Sequence, residues 1–97
     1  MSKNQEKIAI KKAEQSDYLK GVKRQRIEQR WETAQIKAAG AQSVLDYMVE
    51  QFHKFNFELT PEQIEQTEDQ IALRQKEIKE FIMAEKAEYE RRLGVIG

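Results

Sequence analysis

Cysteine is absent from this 97-residue chain, so it has no disulfide, no thiolate metal ligand and no thiol nucleophile. The small disulfide-stapled and zinc-finger classes are thereby excluded. One proline and four glycines are too few for the turn-rich sandwich, barrel and collagen-like classes. Apolar runs are short as well. The longest, Phe81-Ile82-Met83-Ala84, falls far below the length that spans a bilayer, and the opening residues MSKNQEKIAIKKAEQ lack the apolar stretch of a secretory leader. These absences predict a soluble, cytoplasmic chain with no membrane contact.

Charged residues make up 35% of the chain and hydrophobic ones 39%, the balance of a helical or coiled-coil protein. A chain this short buries only about 60–65% of its unfolded surface, which leaves a thin stability margin. The formal net charge of +0 is a cancellation. Residues 1–40 hold ten Lys/Arg against five Asp/Glu, and residues 41–97 hold seven against twelve. The acidic excess concentrates in residues 41–69, where seven acids face Lys54 alone. Such asymmetry points to an electrostatically steered partner: a protein surface, another copy of the chain, or nucleic acid.

The strongest local signal is Leu59-Thr60-Pro61-Glu62-Gln63-Ile64. Thr60 suits an N-cap, Pro61 the first helical position, Gln63 the far corner of a capping box, and Leu59 with Ile64 a hydrophobic staple. No Gly or Pro follows until Gly94, after Arg91 and Arg92, so the pattern predicts a helix over about 61–92. Upstream, Ile27, Trp31, Ala34, Ala38, Ala41, Leu45, Met48 and Phe52 recur at alternating spacings of four and three, which predicts a helix over about 26–54. Gly40, beside three alanines, suggests a backbone approached closely by something bulky. The turn at 55–60 is short, with Asn56 suited to a left-handed cap, so the two helices should lie antiparallel. Doubling back sets Phe52 beside Ile64, Leu45 and Met48 near Ile71, Ala38 and Ala41 near Ile78 and Phe81, Ala34 and Trp31 near Ile82 and Tyr89, and Ile27 near Leu93.

The fold expected is therefore all-α: a long antiparallel, coiled-coil-like helical hairpin over 26–97. A basic N-terminal arm, 1–25, overhangs it, either helical or partly disordered, with Gly21 as its weak point. One buried stripe per helix barely offsets the entropy of ordering the chain, so a bundle completed by self-association or partner docking is the expected remedy. Val44, Val49, Phe55, Phe57, Met83 and Val95 are read as a second apolar strip for that purpose.

Candidate chemistry is sparse. Glu50 and His53 have the Glu-x-x-His spacing of di-metal bundles, but Glu50 falls off the seam and a solvated pair is the favoured reading. His53 is the sole histidine, there is no Gly-rich phosphate loop, and carboxylate pairs such as Glu62/Glu65 are ordinary helix-surface residues. The expectation is a non-enzymatic protein with no cofactor, metal or small-molecule substrate, acting through a protein partner or a homo-oligomer. Phe55 and Phe57 at the turn, with Trp31, are the candidate partner contacts; a structural plug under the hairpin tip suits the two phenylalanines equally well, and for Trp31 a core position opposite Ile82 and Tyr89 is the favoured reading. Lys3, Lys7, Lys11, Lys12, Lys20, Lys23, Arg24 and Arg26 are candidate contacts for an anion or nucleic acid, the alternative class of partner. In general type the chain is similar to small helical hairpins among phage-encoded assembly factors, host-enzyme inhibitors and secretion chaperones. That resemblance covers shape and composition, and it implies an assembly, adaptor or inhibitor role in a host cytoplasm or virion.

Overall fold

The computed structural model describes the backbone of residues 2–96 and the side chains of residues 17–96. Helix α1 spans Ser2–Phe55 and helix α2 spans Pro61–Ile96, joined by a 3-10 turn at Asn56–Glu58. The two helices pack side by side as an antiparallel hairpin 86 × 17 × 11 Å in extent. The long axis follows from α1 itself, since 54 residues at about 1.5 Å each make a rod of about 80 Å. Lys3, Lys7, Lys11 and Lys12 have side chains outside the described residues.

The turn is built from the capping chemistry of its sequence. Thr60 Oγ1 accepts the Gln63 backbone N–H at 3.2 Å, and Gln63 Oε1 accepts the Thr60 N–H at 3.0 Å. This reciprocal box satisfies two donors that the start of α2 would otherwise leave open. Pro61 follows at the first helical position, and Ile64 N–H donates to Thr60 O at 2.9 Å. On the other side, Leu59 N–H donates to Asn56 O at 3.0 Å and Leu59 is extended (φ −96°, ψ 148°), which reverses the chain.

Packing follows the expected register. Trp31 stacks on Tyr89 with ring centroids 5.5 Å apart, Arg30 reaches Glu85, and the Lys37 ammonium sits 5.1 Å from the Phe81 ring centroid. Ile27, Ala34 and Leu45 are buried, and Leu45 is the most enclosed at 1% exposure. Ile64, Ile71, Ile78, Phe81, Ile82, Tyr89 and Leu93 are half-buried along the facing stripe.

Four details depart from the sequence reading. Ala41 is exposed, while Gln42 and Val49 are half-buried. A strict seven-residue repeat drifts by about 20° per heptad on a 3.6-residue helix, and here the seam rotates past Ala41. Across the gap, Arg74 and Gln75 are exposed too. Gly40 is not crowded: a Cβ placed there meets nothing within 4 Å, so no part of the hairpin approaches its backbone. Asn56 is not left-handed. No described residue has a positive φ, because the 3-10 turn reverses direction within ordinary dihedrals. Finally, α2 continues through Gly94 to Ile96, and α1 passes through Gly21 without interruption.

Replacing Thr60 by Ala removes the acceptor for Gln63 N–H and should lower stability by about 1 kcal/mol, whereas Thr60→Gly should cost only a few tenths. Urea unfolding followed by circular dichroism checks both values. No loss in Thr60→Ala would mean that the box does not hold the turn.

Candidate functional site

Three surfaces stand out among the described residues. The first is the closed end. Phe57 is 76% exposed and Phe55 49%: Phe55 is the last residue of α1 and Phe57 lies in the 3-10 turn, beyond the seam. Tyr47, Gln51, Phe52, Phe55 and Leu59 line a shallow groove that runs from this tip along the hairpin. Acidic residues ring the tip: Glu58, Glu62 and Glu65 are all exposed.

The second surface is the open end, where Lys23, Arg26, Arg91 and Arg92 surround an apolar floor of Ile27, Val95 and Ile96. Its two arginines are tied to one carboxylate. Glu88 accepts from Arg91 at 2.7 and 3.1 Å and from Arg92 Nε at 2.6 Å. The Arg91 hydrogen bonds, then those of Arg92, hold the Glu88 carboxyl at about 2, well below its usual value, against a smaller opposing effect of desolvation. A few residues inward, Arg30 Nε donates to Glu85 Oε2 at 3.1 Å and its second nitrogen to Oε1 at 3.3 Å, which raises the arginine's affinity for its proton. Among the described residues this is the one ion pair that bridges the two helices.

The third surface is the back of α1. Tyr18, Val22, Gln25, Gln29, Thr33, Ile36, Gly40, Val44, Tyr47 and Gln51 follow one another at spacings of four, three and four residues, repeated without a break. That eleven-residue period tracks a nearly straight helix face, here the one turned away from α2. None of these ten residues is charged; Tyr18, Ile36, Val44 and Tyr47 are more than half exposed, Val22 and Gln51 are half-buried, and Tyr47 and Gln51 also border the groove at the closed end. The corresponding back of α2 is an ordinary solvated face, interrupted by Glu62, Asp69, Lys76, Glu80 and Arg91.

The structure gathers the sequence candidates unevenly. Phe55 and Phe57 share the tip. Trp31 lies half-buried in the seam against Tyr89, roughly 35 Å from that tip at about 1.5 Å per residue, so the three form no common patch. The expected second apolar strip also disperses: Val49 joins the seam, Val44 lies on the back of α1, Met83 lies on α2 and Val95 sits at the open end. Lys20, Lys23, Arg24 and Arg26 are exposed and, among the described residues, have no carboxylate partner. Glu50 accepts from Lys54 at 2.9 Å and His53 is exposed beside the Phe52 ring, so the Glu-x-x-His pair is turned to solvent. Among the described residues no three His, Asp or Glu side chains converge as a metal site. Apolar periodicity does not reveal the uncharged back of α1; its signal in the sequence is the absence of charge at an eleven-residue period.

No family model, curated protein or solved structure matches the chain.

Because Glu88 binds its proton more weakly in the fold than in the unfolded chain, its contribution to stability is complete above about 4.5 and is lost as pH falls toward about 2. The difference in thermal midpoint between the wild type and Glu88→Gln should therefore narrow steadily across that interval. A gap that stays constant with pH would detach the carboxylate from the stability of the open end.

Proposed function

We propose that this chain is a non-enzymatic interaction rod, an assembly, adaptor or inhibitor protein that works by presenting fixed surfaces to a protein partner. The single observation carrying this reading is the aromatic tip, where Phe57 at 76% exposure and Phe55 at 49% project from a rigidly capped turn. Large aromatic rings in water lose nothing in solvation when a partner covers them, and they lose little side-chain entropy, which is why such residues dominate binding energies. The acidic ring around the tip favours a partner with a basic rim, steering the encounter before the rings are buried.

A tagged wild-type protein should retain a partner from nuclease-treated host lysate, and Phe55→Ala/Phe57→Ala should reduce that recovery at least about tenfold, the scale of a hot-spot residue. Helicity should not change. Unaltered recovery by the double variant would remove the tip from the interface.

One observation favours a second reading, contact with nucleic acid: Lys20, Lys23, Arg24 and Arg26 are exposed within two turns of helix and free of carboxylate partners among the described residues. Phosphate contact releases condensed counterions, so affinity for duplex DNA should fall steeply between about 50 and 200 mM salt. Changing all four residues to Gln should flatten that slope by roughly 0.9 for each phosphate that is no longer neutralised. An affinity that does not vary with salt would eliminate this reading.

A further inference from the structure

We propose that two copies of the chain pair antiparallel along the uncharged backs of their α1 helices, about a twofold axis between residues 34 and 35. The inference rests on reading the chain as an interaction rod and supplies one partner, the chain itself. Four observations carry it.

The contrast between the two helices comes first. In a protein with 35% charged residues, the back of α2 is charged in the usual way, whereas the back of α1 has no charge at any position of its stripe from Tyr18 to Gln51. A face left to water has no reason to exclude charge, and a face that is covered does, because burying an unpaired charge is costly.

Gly40 comes second. A solvent-facing glycine inside a helix weakens it relative to alanine, and no group in the hairpin comes within 4 Å of its Cβ position. The bare backbone becomes intelligible if the approaching group belongs to another molecule.

Third, the stripe is complementary to itself. Because its spacing reads the same in both directions, the antiparallel register opposes stripe position to stripe position throughout: Thr33 to Ile36, Gln29 to Gly40, Gln25 to Val44 and Val22 to Tyr47. Large side chains then meet smaller or flexible ones, as close packing requires. The contact runs about 50 Å along each helix, the 33 steps from Tyr18 to Gln51 at about 1.5 Å each.

Fourth, the ends match in charge. In this register residues 17–26, with four Lys/Arg and one acid, run level with residues 43–52 of the other copy, which hold Asp46 and Glu50 and no cation. A parallel pairing would set like against like. With one helix face per copy buried, the dimer sits at the small end of specific interfaces, and its dissociation constant should lie in the micromolar range.

Sedimentation of the full chain from low micromolar to millimolar concentration, with added salt as a second axis, tests the proposal. The expected result is a monomer–dimer equilibrium that weakens with salt. Gly40→Leu should raise the dissociation constant at least tenfold while leaving the thermal midpoint of the dilute monomer unchanged or higher, because leucine favours the helix and only the dimer has something to clash with. Ile36→Glu should do the same to association. A spin label on Ser43→Cys should give an intermolecular separation of about 26 Å between labelled backbones, against about 10 Å for a parallel pair. A monomer at every concentration overturns the proposal and leaves the tip reading intact. So does a dimer indifferent to Gly40→Leu and Ile36→Glu, or one abolished by Phe57→Ala, and a short label distance overturns the antiparallel axis.

Discussion

Two antiparallel helices can hide only one stripe each, and that limit governs most of what this molecule is. Every side chain in the seam has a single facing helix to pack against, so even the well-placed isoleucines of α2 remain half-open and full enclosure is reached at Leu45. The seam must therefore work with a few close fits: Ala34 letting the helices approach, Trp31 lying flat on Tyr89, and Arg30 clasping Glu85 with both guanidinium nitrogens. The turn sets the register on which all of these depend. Had the capping box formed one residue earlier or later, the period of α2 would have rotated its isoleucines away from α1 by about 100°.

The same limit explains why surfaces rather than cavities carry the functional argument. A hairpin has no interior in which to desolvate an acid, a base or a bound ion, and the lowering at Glu88 comes from neighbouring arginines at the rim. What a rod of this kind offers is length, a fixed tip and the spatial ordering of charge. The sequence's opposed charges become opposed ends: acids gather around the closed turn, and cations gather around the open end and at the exposed Lys20, Lys23, Arg24 and Arg26 of α1.

Much of this architecture was legible in the residues. Thr60-Pro61-Glu62-Gln63 specifies a helix start through local hydrogen-bonding chemistry alone, and the alternating seam from Ile27 to Phe52 has a period that only a helix satisfies. Matching that seam to Ile64, Ile71 and Ile78 was enough to place Trp31 beside Tyr89. The misreadings share a cause. Residue type and immediate neighbours suggest a crowded Gly40 and a left-handed Asn56, and strict heptad spacing suggests a buried Ala41, but a glycine's surroundings, a cap's handedness and the drift of a seam depend on helix phase accumulated over several turns. The candidate site was less legible. Phe55 and Phe57 are conspicuous because large rings beside a turn have nowhere to hide, whereas the back of α1 is marked by glutamines, a threonine and a glycine that attract no notice one at a time.

The chain contains one tryptophan, and it lies against a tyrosine contributed by the opposite helix 58 positions away in the sequence. Nature has thus installed an optical gauge at the open end of the hairpin. Separation of the two helices there would uncouple the indole from its phenolic neighbour and expose it to water, altering its emission without any attached dye. Fraying of that end can consequently be followed in the unmodified protein, independently of far-ultraviolet signals that report only whether each rod remains coiled.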